Sequence, residues 1–224
     1  MSIPESLLEG GIPVLHSTET RWFIAHTLPD EVLDWFRAGI LLDSEGVRDH
    51  EYLLFPGCDS VGVKLRDGRF EIKAICGSPQ PLNSGLGIAG SKQHWVKWSL
   101  ASDALQLLEA PLHRSGQWIN VRKERYLRQF SFNQGALLEV TEKQGAFPAM
   151  GCNVEVTRIE VNAEPRRWFT IGLEAFGAPA VTAHILDDAL RLFFGTYGPP
   201  PSGALTENNS ASYPAWLTQL FETG

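Results

Sequence analysis

The sequence predicts an antiparallel α+β protein. About eight β-rich runs follow one another in meander order with helical stretches at intervals, and the pair Asp67-Gly68 falls between two of those runs. Asp-Gly in that setting marks a two-residue type I′ hairpin, because both central residues must accept positive φ. The hairpin sets Arg66 opposite Arg69, Leu65 opposite Phe70, Lys64 opposite Glu71, Val63 opposite Ile72, Gly62 opposite Lys73 and Val61 opposite Ala74. Strand side chains alternate between faces. Lys64, Arg66, Arg69, Glu71 and Lys73 therefore share one face, and Val61, Val63, Leu65, Phe70, Ile72 and Ala74 the other.

The other elements read in order. ETRWFIAH (19–26) is a strand. PDEVLDWFRAGILL (29–42) is a helix, opened by Pro29 and Asp30, with Val32, Leu33, Phe36 and Ile40 on one stripe. HEYLLF (50–55) is a strand, followed by the hairpin and a Pro/Gly/Ser-rich loop (77–92). HWVKWSL (94–100) is a strand and ASDALQLLEA (101–110) a short helix. WINVRKERYLRQFSF (118–132) is a long strand whose apolar positions change parity midway, which predicts a bend or bulge. CNVEVTRIEV (152–161) and RRWFTIGLEAFG (166–177) are strands. TAHILDDALRLFFG (182–195) is a helix stopped by Gly195. An irregular linker (198–212) leads to a last helix, PAWLTQLF (214–221).

The chain has 224 residues, 43% hydrophobic and 20% charged, enough to bury a substantial core. No long breaker separates the strands, which predicts one domain over residues 1–224. The net charge of -7 opposes a general nucleic-acid partner. No apolar run reaches the roughly 20 residues that span a bilayer, and no charged-then-apolar leader opens the chain, so the expectation is a cytoplasmic protein without a membrane partner. Cys58, Cys76 and Cys152 are isolated, as suits reduced thiols.

Charge alternation recurs beyond the hairpin: Glu19 with Arg21, Lys97 between Val96 and Trp98, Lys123 with Arg125, Glu155 between Val154 and Val156, and Glu174 after Leu173. A sheet this long tends to close. Closed with its apolar side outward beneath the helices, it would enclose a polar interior rich in cations. Such an interior is costly when empty and is relieved by a bound polyanion; phosphate oxygens match Lys and Arg, and the acids could hold a divalent ion. The opposite facing, with Val63, Leu65, Phe70 and Ile72 inward, would make a barrel for an apolar ligand. The direction of Lys64 separates the two.

The pair Lys64-x-Arg66, the following FEIK with Lys73, VRKERY with Lys123-x-Arg125-Tyr126, and RDHEYLL with Arg48 and Tyr52 resemble the CYTH domain family, the triphosphate tunnel metalloenzymes. The resemblance spans about residues 17–195 and leaves 196–224 as linker and terminal helix. It implies an eight-stranded antiparallel β-barrel, a tunnel with polar interior and peripheral helices. It further implies a phosphate grip of Lys64, Arg66, Lys73, Lys123 and Arg125, with Arg48 beside them; alternation adds Arg21 and Lys97. Glu19, Glu155 and Glu174 would bind Mg²⁺ or Mn²⁺. The implied function is binding and metal-dependent hydrolysis of a triphosphate-containing small molecule: inorganic triphosphate, thiamine triphosphate or a nucleoside triphosphate. Three strands depart from the family pattern, the first lacking both a glutamate and the lysine that follows it. The family's first strand carries Glu-x-Glu-x-Lys where this chain has Glu19-Thr20-Arg21, Gly172 stands where a last-strand acid is expected, and Thr157 where the seventh strand has one. Fewer carboxylates weaken metal binding and water activation. The alternative is a non-catalytic nucleotide- or polyphosphate-binding protein with a degenerate metal site.

GLGIAG (85–90) matches G-x-G-x-x-G, but that motif needs a following helix, and a strand follows here; the reading is a glycine loop at the tunnel mouth. The six histidines form no helical metal pair. Trp22, Trp98 and Trp168 occupy apolar strand positions and read as core.

Overall fold

The computed structural model describes residues 14–38, 40, 42–66, 68–83, 85–101, 117–140, 148–162, 164–201 and 205–222. The ring of strands is β1 (Val14–Ile24), β10 (Glu164–Phe176), β9 (Gly151–Val161), β7 (Gln117–Asn133), β2 (Val47–Leu54), β3 (Val61–Arg66), β4 (Arg69–Ile75) and β6 (Ala89–Ala101). β6 pairs back onto β1 from Val14↔Trp98 to Glu19↔Gln93, which closes an eight-stranded antiparallel barrel. Two short strands lie off the ring, β5 (Gln80–Asn83) on β6 and β8 (Ala136–Glu139) on β7. The β3–β4 register is the one the Asp-Gly turn dictates, from Val61↔Ala74 to Arg66↔Arg69; Asp67 itself lies outside the described residues.

Three helices flank the barrel among the described residues: α1 (Asp30–Arg37), α2 (Pro179–Tyr197) and α3 (Tyr213–Glu222). α1 is shorter than its apolar stripe predicts. Ala38 takes the left-handed conformation (φ 49°) and its N–H bonds Asp34 O, so the helix ends there and Ile40 is left exposed. α2 opens with Pro179 in its first turn, where a missing N–H costs nothing. It runs through Gly195 rather than stopping, and ends where Gly198 (φ 71°) returns its N–H to Phe194 O at 2.9 Å. The predicted helix over 101–110 falls outside the described residues beyond Ala101, which ends β6.

The outer face of the barrel carries the main core. Val32, Leu33 and Phe36 of α1 and Ile185, Leu186, Phe193 and Phe194 of α2 pack with the outward-facing Trp22, Val154, Val156, Phe169, Ile171 and Leu173. Each such side chain contributes about 1.5–3 kcal/mol by leaving water, and Phe193→Ala would cost about 3–5 kcal/mol. Arg128 ties this layer together while 2% exposed: Nε and Nη2 donate to both Glu139 carboxylate oxygens at 2.6 Å, Nη1 to Phe36 O at 3.0 Å, and Nη2 also to Tyr197 Oη at 2.7 Å. Helix α2 must reach Tyr197 to complete that cluster, which explains its run past Gly195.

A second core lies inside the barrel at one end. Phe23, Tyr52, Leu54, Val121, Ile159 and Val161 point inward and enclose Trp216 and Leu217 of α3. Trp216 stacks on Phe23 (4.5 Å, 14°) and meets Trp168 edge-on (5.4 Å). The last helix is therefore a stopper as well as a peripheral element, and the tunnel is closed at that end. The parity change in β7 has the same origin. Its register with β2 and β9 is continuous, without a bulge: Val121 faces the inner core at the stoppered end, whereas Phe130 faces α2 at the other. No helix among the described residues is long and apolar enough to cross a membrane. Cys58, Cys76 and Cys152 are free.

Candidate functional site: a cation-lined cavity

Inward-facing positions above the stopper line a cavity of about 670 Å³. Lys64 points into it, so the barrel faces its charges inward and Val63 and Leu65 outward. All eight expected phosphate-binding residues line this one cavity: Arg21 from β1, Arg48 from β2, Lys64 and Arg66 from β3, Lys73 from β4, Lys97 from β6, and Lys123 and Arg125 from β7. The three expected metal ligands, Glu19, Glu155 and Glu174, line it too, joined by Glu45 and Glu71. Among the described residues eight cations thus face five carboxylates.

The carboxylates are engaged unevenly. Glu155 accepts from Arg21 Nη1 at 2.5 Å and from Arg125 Nη1 at 3.2 Å, with its side chain 7% exposed. Burial alone would raise its carboxyl pKa, but the two guanidinium groups hold it down at about 2. Arg125 also grips Glu45 (2.6 Å), Lys64 pairs with Glu71 (2.5 Å), and Lys73 pairs with Glu19, which also accepts from Ser17 Oγ at 2.5 Å. Glu174 stands opposite Glu19 in the β1–β10 register and, among the described residues, forms no ion pair.

Three cations, Arg48, Lys97 and Lys123, have no carboxylate within ion-pair distance among the described residues. Lys123 Nζ donates to Tyr52 Oη at 2.7 Å and lies 3.4 Å from the centroid of the Tyr213 ring. Burial, with Lys64 and Arg21 nearby, pushes its ammonium well below the usual lysine range. His50, 6% exposed, registers the same field: burial and the charges of Lys123, Lys64, Arg66 and Arg125 hold its imidazole neutral, with a pKa of about 2. The interior thus carries a cationic surplus, whose charge an anion with several negatively charged oxygens would match.

Among the described residues no three His, Cys, Asp or Glu groups are placed to hold a metal ion. Register explains two of the departures together. Arg21 and Gly172 are direct partners across β1 and β10, and a Cβ on residue 172 would lie 2.8 Å from the Arg21 guanidinium carbon. Gly172 is therefore the space that Arg21 fills. Thr157, in place of the third acid, donates to Glu155 Oε1 at 3.4 Å.

Glu45, His50, Trp95 and Tyr213 also line the cavity and were not singled out by sequence. His50 was within reach, since it alternates with Arg48 and Tyr52. Tyr213 had no signal, because it enters from the last helix and not from a strand. The glycine loop 85–90 does not border the cavity; it packs outside, where Trp22 Nε1 donates to Ala89 O at 2.8 Å and Ala89 N–H to Leu205 O at 2.9 Å.

The chain is thus an α+β protein built on a closed eight-stranded barrel with a cation-lined pocket stoppered at one end. No family model and no curated protein matches it. Among solved structures it is similar to a conserved hypothetical protein from Pyrococcus furiosus, with 10% identity, TM-score 0.44, and coverage of 89% of this chain and 98% of that one. It is also similar to two Pyrococcus horikoshii proteins. The PH1819 protein shows 11% identity, TM-score 0.43 and coverage of 93% and 99%, and the PH1012 protein 12% identity, TM-score 0.37 and coverage of 79% and 89%.

Proposed function

We propose that the cavity binds a triphosphate-bearing small molecule, such as inorganic triphosphate, thiamine triphosphate or a nucleoside triphosphate, and that the chain is a divergent relative of the triphosphate tunnel proteins. The observation that carries this reading is the surplus of cations lining one cavity, with Arg48, Lys97 and Lys123 lacking acidic partners among the described residues. Lys97 and Lys123 are half-buried and Arg48 is exposed at the rim; a cation partly withdrawn from water without a counter-ion is costly, and a phosphate chain supplies counter-charge and acceptor oxygens at once. Arg125 and Lys64 would orient the chain while remaining anchored by Glu45 and Glu71. The stopper admits the ligand from one end only, with its organic part toward the open mouth.

Binding without turnover is the reading the geometry supports best, because the carboxylates that would carry a metal are mostly held by fixed cations. Metal-dependent hydrolysis with Mg²⁺ or Mn²⁺ is the second reading, favoured by Glu174, which forms no ion pair among the described residues and faces Glu19 across the sheet. The test is a thermal-shift titration with tripolyphosphate, thiamine triphosphate and ATP, paired with phosphate release under Mg²⁺, Mn²⁺ or chelator. A shift without release is expected. Metal-dependent release establishes the hydrolase, and no response to any ligand removes the phosphate-chain reading.

A further inference from the structure

The side chain of Arg21 is 11% exposed, and its guanidinium is fixed on every side. Nη1 donates to Glu155 Oε1 at 2.5 Å and to Thr170 Oγ1 at 3.1 Å, and the guanidinium lies 5.2 Å from the centroid of the Tyr213 ring. The missing side chain at Gly172 provides its space; any Cβ there would meet guanidinium atoms at 2.8–2.9 Å. On the same wall Lys73 and Ser17 both hold Oε1 of Glu19, and Arg125 holds the second oxygen of Glu155. A divalent ion needs free anionic oxygens converging on a point. Here the oxygens of Glu155 are spent on guanidinium, and the space beside them is filled by positive charge.

We propose that Arg21 is a built-in substitute for a divalent cation, and that the cavity takes its phosphate chain free of metal. A guanidinium and a bound metal offer a phosphate chain the same thing, fixed positive charge, but the guanidinium adds directed N–H donors and cannot be removed by a chelator. The free ligand carries more negative charge than its Mg²⁺ complex and so suits a wall that already supplies the cation. This inference rests on the phosphate-chain reading of the cavity and adds the ionic form of the ligand.

Two measurements on the full chain test it. In calorimetry with tripolyphosphate, affinity in chelator should equal or exceed affinity in excess Mg²⁺; a loss of about tenfold or more on chelation, about 1.4 kcal/mol, overturns the proposal. In electron paramagnetic resonance with Mn²⁺ alone, the protein should leave the free-ion signal unchanged at millimolar metal. Loss of that signal, reporting bound Mn²⁺, equally overturns the proposal. The double variant Arg21→Gln, Gly172→Asp clears the guanidinium and adds a carboxylate beside Glu155 and Glu174. If folded, it should gain Mn²⁺ binding; a folded double variant that binds none counts against Arg21 as the blocking group. Failure of tripolyphosphate to bind under any condition refutes the phosphate-chain reading instead, and the Mn²⁺ signal still decides whether the wall holds a metal.

Discussion

Lys123 directs its ammonium at the face of Tyr213, 3.4 Å from the ring centroid, where a carboxylate would be its ordinary partner. The aromatic ring and the Tyr52 hydroxyl soften the cost of the charge without cancelling it, which leaves the group available to an incoming anion. Lys123→Met keeps most of the side-chain volume and removes the charge. Tripolyphosphate affinity should fall about 10- to 100-fold, the worth of one charge-assisted hydrogen bond. The melting midpoint of the ligand-free protein should stay level or rise. Calorimetry and a thermal melt on one sample check both signs, and unchanged affinity would refute the role of Lys123.

Glu155 is the counter-ion of two guanidinium groups at once. Glu155→Gln takes the carboxylate from the buried Arg21, leaving Arg125 to Glu45 alone, and should cost about 3–5 kcal/mol in chemical denaturation. Added tripolyphosphate should recover part of that loss by mass action. A variant as stable as the parent would show that the Arg21–Glu155–Arg125 cluster is not holding this wall.

His50 makes stability depend on pH. Its folded pKa of about 2 lies below its ordinary 6.5, so the unfolded chain takes up a proton that the folded chain refuses. The contribution is complete above about pH 6.5 and is lost below it, at about 1.4 kcal/mol per pH unit, until the folded imidazole titrates. The charges facing it are Lys123, Lys64, Arg66 and Arg125. A polyanion neutralising them should raise the His50 pKa, visible by NMR as an imidazole that titrates at higher pH with tripolyphosphate than without.

Trp216 fills the stoppered end against Phe23 and Trp168. Trp216→Ala should cost about 3–5 kcal/mol in urea denaturation. A cost under about 1 kcal/mol would mean that the helix rests on the barrel end without sealing it.

The hairpin was legible residue by residue, because a two-residue Asp-Gly turn leaves one register, and the alternation of Lys64, Arg66 and Lys73 carried over into the folded cavity. Which strand face is covered was not legible in β7. A barrel with apolar cores both inside and outside makes a regular strand look bulged, since the buried face changes along its length while the backbone does not. Tyr213 and Trp216 were hidden for a related reason: an amphipathic last helix announces an apolar face but not the surface that receives it. Arg21 and Gly172 were visible only as two separate departures. Their compensation depends on a β1–β10 register that no local motif encodes.

The seam between β1 and β10 joins residues 17–24 to residues 169–176, the widest sequence separation in the ring, so it forms only once the strands between them are at hand. Until it forms, the inward lysines and arginines remain hydrated in an open sheet. Sealing the seam and stripping water from those charges are then one event, and the electrostatic cost of the lumen falls on the slow, long-range step of folding. An inorganic triphosphate present during refolding should ease that step: stopped-flow traces should show a faster main phase with the anion. A rate indifferent to it would mean that the charges lose their water only after the ring has closed.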